Sequence, residues 1–201
     1  AQAGLSAAPP GGTDLGGGLR LLKSAAEPFG GGKPFRITGD ALFAQAQSSG
    51  YHEVILEHED PAMTLDAMPP EHLRRVLGGY RERLEILGRK PDIRHVQLIR
   101  NVGAVAGALY EEPHAQLLAL PVPSRWLEEE LSAAAAYRRA QERCLFCDVL
   151  EAELRLRERL VSANEHFAAL APFAAKTPFE TWIFPRVHSS AFATLAETAL
   201  G

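Results

Sequence analysis

The stretch Asn101-Val-Gly-Ala-Val-Ala-Gly107, followed by Glu112-Pro-His114-Ala-Gln116, carries the most information in this sequence. Two glycines separated by small residues let a backbone approach a phosphate group closely. His114 begins a predicted strand, and Gln116 lies two residues later on the same face of that strand. The pair can therefore present a nucleophilic imidazole beside a polar amide. Taken alone, the same pattern is also typical of a structural histidine at a strand end.

The segments around this stretch alternate between strand-like and helix-like patterns. Apolar, β-branched runs predict strands, and apolar residues at helical spacing predict a helix that begins at the Pro69-Pro70 pair and ends at Gly88. Ser124 is the predicted cap of a second long helix. The strands are predicted at residues 51–58, 93–99, 114–121, 166–170 and 179–184. Short strands without regular βαβ spacing favour an α+β fold with a mostly antiparallel sheet and flanking helices.

Composition divides the chain into three parts. Residues 1–18 are rich in Gly, Ala and Pro, and a further glycine cluster follows at residues 30–32. We therefore expect residues 1–49 to form a flexible, poorly patterned segment. Residues 50–143 are expected to form one structural half and residues 144–201 the start of a second, related half. A weak repeat supports this duplication, because Pro61 in the first copy corresponds to His188 in the second.

The overall charge and the cysteine content exclude several classes of protein. The chain has 201 residues, is 46% hydrophobic and carries a formal charge of −4, without a clustered basic face. Nucleic acid is therefore not an expected partner. No apolar run is long enough for a membrane span, so we expect no membrane association and a cytoplasmic location. The pair Cys144 and Cys147 indicates half a zinc site or a redox pair in a reducing compartment.

The central stretch resembles the active-site signature of the galactose-1-phosphate uridylyltransferase family, which belongs to the histidine-triad superfamily. The resemblance rests on Asn-x-Gly-x-x-x-Gly followed by Pro-His-x-Gln, and it extends over roughly residues 50–195. The supporting segments fall in family order and are Gly50-Tyr-His-Glu-Val-Ile, Cys144-Leu-Phe-Cys147, Asn164-Glu-His-Phe and residues 172–188. The resemblance implies a histidine-triad-like fold of two related halves, with the second half incomplete in an apparently truncated chain.

The resemblance also implies a reaction and assigns roles to residues. In the family, a histidine attacks the α-phosphorus of UDP-glucose and carries the nucleotide to galactose 1-phosphate. By position, His114 is the nucleophile and Gln116 binds a phosphate oxygen, while Asn101, Gly103 and Gly107 hold the nucleotide phosphates. The expected substrates are a nucleotide sugar and a hexose 1-phosphate, as in galactose metabolism, with no organic cofactor. The family commonly forms dimers, so a homodimer is expected.

Three residues match ligands of the second zinc site of the family. These are Cys144, Cys147 and His188, a donor set that suits tetrahedral zinc. The fourth family ligand is a histidine farther on, and the chain ends at Gly201 before reaching it, so we expect an incomplete site. His166 is nearer but is expected to face the core or solvent. The alternative is that both cysteines are simply free buried thiols.

Other positions depart from the family pattern. Glu112 and Pro61 stand where the family has histidine ligands of a first zinc site, and no cysteine precedes Cys144. The complete loss of that site is expected to leave the chemistry of His114 intact. Leu109 replaces a serine that contacts phosphate. The segment Leu19-Arg-Leu-Leu-Lys-Ser-Ala-Ala matches the base-binding segment poorly, so the base stays open.

Three alternatives therefore remain beside a uridylyltransferase. The first is an adenylyltransferase similar to ADP-glucose phosphorylase, and the second is a non-catalytic nucleotide-binding relative. The third is an interaction module built on the cysteine pair, which would need a second pair. The remaining histidines, His52, His58, His72 and His95, are expected at the surface of strands or helices.

Overall fold

The computed structural model describes residues 5–23 and 33–195. The chain divides into two compact units, the first formed by Ala1–Pro123 and the second by Ser124–Leu195. The expected boundary between residues 143 and 144 thus lies earlier, because the helix that follows Ser124 packs against the helix that follows Cys144. The α+β class with mostly antiparallel sheets is confirmed.

The first unit is built on a five-stranded antiparallel sheet in the order β1-β2-β5-β7-β6. Its strands are β1 (Thr13–Gly16), β2 (Leu19–Lys23), β5 (Tyr51–Leu56), β6 (His95–Ile99) and β7 (His114–Leu120). A separate two-stranded hairpin consists of β3 (Ile37–Thr38) and β4 (Gln45–Ala46). The central position of β5 explains its apolar sequence, since Val54 and Ile55 point to opposite faces and are both fully buried.

Helix α1 (Pro70–Gly88) contacts the strands of this sheet. Pro70 occupies the first turn, where its missing N–H has no partner to lose. The buried residues His72, Val76, Tyr80 and Leu87 recur at helical spacing and form one stripe along the helix. This helix was predicted from the sequence with the same end at Gly88.

The structure corrects the expectation that residues 1–49 lack regular structure. Leu19, Leu21 and Leu22 are buried in the sheet, and β2 pairs with the central strand β5 along its length. The glycines that suggested flexibility instead form a tight turn, because Gly17 and Gly18 both take positive φ angles, as a two-residue hairpin turn requires. The glycine cluster at residues 30–32 lies outside the described residues.

The second unit combines two helices with a small antiparallel sheet. Helix α2 (Arg125–Gln141) begins at Ser124, whose hydroxyl accepts a hydrogen bond from the Leu127 N–H at 3.3 Å, as predicted. Helix α3 (Leu145–Leu156) buries Leu150 against the sheet residues Ala168 and Leu170. The sheet has the order β10-β9-β8. Its strands are β8 (Leu160–Ala163), β9 (Phe167–Leu170) and β10 (Trp182–Pro185).

Within the described ranges, every helix is too short or too polar to cross a membrane.

Candidate active site

The imidazole of His114 lies at the start of β7 and is only 2% exposed. Its Nδ1 atom lies 2.7 Å from the backbone carbonyl oxygen of Glu112. A carbonyl can only accept, so Nδ1 carries the proton and Nε2 keeps its lone pair. The Leu109 N–H donates to that lone pair at 3.1 Å. The backbone thus selects the tautomer in which Nε2 is the nucleophilic atom.

Leu109 and Tyr110 border the imidazole. The rings of Tyr110 and His114 are tilted at 60° with their centroids 5.4 Å apart. Leu109 replaces the serine of the family pattern, but its backbone N–H is the group directed at Nε2, and a substitution of the side chain leaves that donor in place. An oxygen of a phosphate group that approaches His114 would compete with the Nε2 lone pair for the hydrogen of this N–H. Access to His114 therefore requires these two residues to shift.

The glycine-rich loop before β7 folds back on itself. Asn101 donates from Nδ2 to the carbonyl of Gly107 at 3.2 Å and so closes the loop around a short 3₁₀ turn at Ala104–Ala106. Gly107 has a φ of 89°, and a Cβ there would lie 3.3 Å from Asn101 Nδ2. The carbonyl of Gly103 accepts from two N–H groups of the same turn. In this structure the side chain of Asn101 therefore shapes the loop.

Gln116 lies on the same face of the sheet as His114, as its position two residues later predicted. Its Oε1 is 3.2 Å from Nε2 of His52, so a proton on that nitrogen would leave the Gln116 amide N–H groups free to donate. His52 was expected at the surface but is half-buried, and its Nδ1 has no partner among the described residues. Burial lowers the pKa of His52, and the hydrogen bond to Gln116 opposes this shift.

A fully buried carboxylate, Glu57, connects the backbone before His114 to the glycine-rich loop. Both of its oxygens lie within 3.0 Å of Nε of Arg100, the residue before the loop, and one accepts from the Tyr80 hydroxyl. The Glu57 N–H donates to the carbonyl of Pro113 at 2.8 Å, one residue before His114. The Glu57 carbonyl lies 2.6 Å from Nε2 of His72. Burial and then the charge of Glu57 raise the pKa of Tyr80.

Sequence reasoning did not identify this cluster. His72 was expected at the surface but is 8% exposed and takes part in the buried stripe of α1. Glu57 was read only as part of a strand. One signal was available in the sequence, because Arg100 lies directly before the glycine-rich loop. A buried arginine there needs a carboxylate partner, and the end of a neighbouring buried strand is where such a partner would lie.

The second candidate site brings together Cys144, Cys147 and His188 in the second unit. One donor atom from each lies within 4.8 Å of the others, and Cys147 Sγ is 3.0 Å from His188 Nδ1. The Cys147 backbone N–H lowers the pKa of the Cys144 thiol, while burial and then the neighbouring Cys144 raise the pKa of Cys147. Two thiols and one imidazole are suitable ligands for zinc. Within the described residues, His166 is not part of this group.

The match to a protein family falls within the first unit. A family model described as the N-terminal domain of galactose-1-phosphate uridyl transferase matches residues 30–123. An ADP-glucose phosphorylase from Arabidopsis thaliana is 32% identical over 143 residues, which are 71% of this chain and 39% of that protein. A galactose-1-phosphate uridylyltransferase from Thermotoga maritima is 30% identical over 148 residues, or 74% of this chain and 46% of that protein. The chain thus spans less than half the length of these two relatives.

Solved structures give the same result for the fold. The crystal structure of an ADP-glucose phosphorylase from Arabidopsis thaliana with bound ADP-glucose superposes with a TM-score of 0.75 at 26% identity, covering 90% of this chain and 55% of that chain. A uridylyltransferase structure gives a TM-score of 0.81 over 98% of this chain and 61% of that chain. Its identity is 24%, so this second match bears on the fold alone.

Proposed function

This chain is a divergent member of the galactose-1-phosphate uridylyltransferase family, and we propose that it transfers a nucleoside monophosphate through a covalent intermediate on His114. The observation that carries this proposal is the hydrogen bond from His114 Nδ1 to the Glu112 carbonyl. It leaves the lone pair on Nε2, which is therefore the ring nitrogen that can attack phosphorus.

In the first step, Nε2 attacks the α-phosphorus of a nucleotide sugar. The new N–P bond forms as the bond from the α-phosphorus to the bridging oxygen breaks, and the hexose 1-phosphate leaves with that electron pair. The Leu109 N–H, which donates to Nε2 in this structure, then turns to a nonbridging oxygen. Gln116 donates its amide N–H groups to the same phosphoryl group, so charge developing on the oxygens is stabilised by fixed donors.

In the second step, an acceptor phosphate attacks the nucleotidyl-histidine and releases Nε2 unchanged. A hexose 1-phosphate as acceptor makes the protein a uridylyltransferase-like enzyme of galactose metabolism. Inorganic phosphate as acceptor makes it a phosphorylase. The 32% identity to an ADP-glucose phosphorylase is the observation that supports this second candidate function, with an adenine base. Both versions share the first step and differ in the donor that labels His114.

Intact-mass measurement after incubation with UDP-glucose or ADP-glucose tests the proposal. We expect a mass increase equal to one nucleoside monophosphate less one water, from one donor only, and its loss on acid treatment because N–P bonds are acid-labile. His114→Ala should abolish the adduct, whereas His95→Ala on β6 should retain it. Nucleotide binding that survives His114→Ala, with no adduct on the unsubstituted protein, would favour the non-catalytic relative.

The proposal extends to zinc and to the setting of the protein. Cys144, Cys147 and His188 would hold a zinc ion, whose role would be to stabilise the second unit. We further propose that the protein is a cytoplasmic homodimer of the histidine-triad type and that it acts without nucleic acid or a membrane as a partner.

A further inference from the structure

We propose that Glu112 is a positioning residue for the nucleophile and that the N-terminal segment Ser6–Ala8 holds it in place. The inference rests on the proposed function of His114. Glu112 contacts two parts of the molecule at once. Its backbone carbonyl accepts the proton of His114 Nδ1 at 2.7 Å, and its carboxylate accepts the Ala8 N–H at 2.8 Å. The residue that selects the tautomer of His114 is therefore itself tied to a distant part of the chain.

A second tie runs along the backbone. Ser6 forms a parallel bridge with Tyr110, and the Glu111 N–H donates to the Ser6 carbonyl at 3.1 Å. Pro113 follows Glu112, and its carbonyl is held by the N–H of Glu57. The short stretch that carries the Glu112 carbonyl is thus fixed on its N-terminal side by Ser6–Ala8 and on its C-terminal side by β5.

The N-terminal segment is anchored well enough to serve this purpose. Ala8 packs, together with Tyr110, against the buried cluster formed by Leu22, Val54 and Leu56. Farther along, Nη1 of Arg20 donates to the carbonyl of Gly11 at 2.7 Å. The segment then continues into β1, which pairs with β2. Its position therefore follows from the sheet that also carries His114.

The chemistry explains why a carboxylate is useful at residue 112. A hydrogen bond from a backbone N–H to an ionised carboxylate is stronger than one to a neutral acceptor. It restrains the Glu112 backbone, so the carbonyl stays in line with Nδ1. Without it, the proton of a neutral imidazole can move to Nε2, and Nε2 then has no lone pair for the attack on phosphorus.

The tautomer of His114 can be read directly, independently of activity. Long-range ¹H–¹⁵N correlation spectra of histidine-labelled protein separate a protonated Nδ1 from a protonated Nε2. In the unsubstituted protein we expect His114 to carry its proton on Nδ1. In Glu112→Ala we expect a mixture of both tautomers, and Glu112→Gln should restore most of the Nδ1 form because it keeps an acceptor. Glu111→Ala, an equal change of charge at the exposed neighbouring residue, should leave the spectrum unchanged.

Ala8, which donates the hydrogen bond to the Glu112 carboxylate, provides a second and independent variant. Ala8→Pro removes the N–H donor at a position outside the glycine-rich loop and β7, and proline is compatible with the extended backbone that is favoured before Pro9. We expect Glu112→Ala and Ala8→Pro each to slow adduct formation about tenfold, and the double variant to be no slower than either single one, because both break the same hydrogen bond. Ala8→Ser keeps the donor and should keep the rate.

The outcomes separate this inference from the proposed function. If the unsubstituted protein forms no adduct, the proposed reaction fails, while the tautomer spectra still test the role of Glu112. If the His114 signals and the adduct rate are unchanged in both Glu112→Ala and Ala8→Pro, Glu112 is not a positioning residue. A faster rate in Ala8→Pro would also overturn the inference, since the segment would then obstruct the site.

Discussion

The two candidate sites differ in how much of their geometry comes from the protein itself. In the first unit, His114 is 2% exposed and backbone groups hold both ring nitrogens. In the second unit, Cys144 and Cys147 are half-buried and His188 is exposed. The proposed reaction depends on one imidazole tautomer, and the buried, hydrogen-bonded frame of His114 favours that tautomer. A zinc ion, by contrast, can itself organise donors that are half-buried or exposed.

The strongest test of the first site removes the cation that pairs with its buried carboxylate. Arg100→Gln leaves the fully buried Glu57 without its cation, and we expect a loss of about 3–5 kcal/mol in the free energy of unfolding. Urea unfolding followed by far-UV circular dichroism, with hydrogen exchange of β5 and β7 peptides, measures this loss.

A second ion pair in the first unit is the matched control. Arg83 binds Glu53 with two hydrogen bonds, at 2.7 and 2.9 Å, but both side chains keep some exposure and neither contacts the loop. Arg83→Gln should cost less, about 1–2 kcal/mol, and should leave the rate of adduct formation unchanged. Equal losses of stability and of rate in both variants would show that Glu57 has no special connection to the site.

The second site should respond to the loss of a thiol. We expect Cys144→Ser to weaken zinc binding at least about 100-fold, since even residues behind the metal ligands contribute 10–100-fold. Competition with a chelating dye measures the affinity, and the fluorescence of Trp126 and Trp182, both in the second unit, follows its unfolding.

The control for this experiment is His166→Ala, which lies outside the three-residue group and should bind zinc normally. The adduct on His114 should form at the same rate in Cys144→Ser as in the unsubstituted protein. A large loss of adduct formation would contradict the view that the first site is organised by its own unit.

A smaller effect is expected from the partner of Gln116. His52→Phe removes the group beside Gln116 Oε1, so the amide is free to rotate, and we expect about a fivefold lower rate of adduct formation. The chain offers a close control in His95 and Gln97, which form an equivalent pair at 3.1 Å on the exposed part of β6. His95→Phe should have no effect, and an equal loss in both variants would argue against orientation of Gln116.

The smallest expected effect is a pH dependence of stability from His52. Its pKa in the folded protein lies below the ordinary value of 6.5, chiefly because of burial. As the pH falls below about 6.5, His52 therefore binds a proton in the unfolded chain before it does so in the folded protein. The contribution of His52 to the free energy of unfolding is complete above that pH and is lost as the pH falls toward the folded pKa. Urea midpoints between pH 7.5 and 5.5 should fall less in His52→Gln, and identical slopes would contradict the shift.

Much of the fold was predictable because local signals agree with the tertiary structure. Helix α1 was predicted with its end at Gly88, and the cap at Ser124 was predicted and is present. The N-terminal strands were missed because Gly and Pro were read as flexibility. In the structure, Gly17 and Gly18 form a hairpin turn that lets Leu19–Lys23 pair with β5.

The candidate site was predictable only in part. The motif identified His114 and Gln116, because alternation along a strand places them on one face whatever the surrounding fold. It could not identify His52 or Glu57, which approach the site from β5 through a pairing between distant segments. Asn101 is bonded through its amide to Gly107 in this structure, and its assignment to phosphate stays a prediction.

The sequence by itself determined the family, and it predicted His114 as the nucleophile and Cys144, Cys147 and His188 as metal ligands, since each rests on residue types in a sequence motif. Only the tertiary structure decided which nitrogen of His114 carries the proton and what holds Glu112. Those properties depend on hydrogen bonds between segments far apart in the chain, such as Ala8 with Glu112. The physical reason is that periodicity specifies the face on which a side chain lies, while the partner on that face is set by strand order and register.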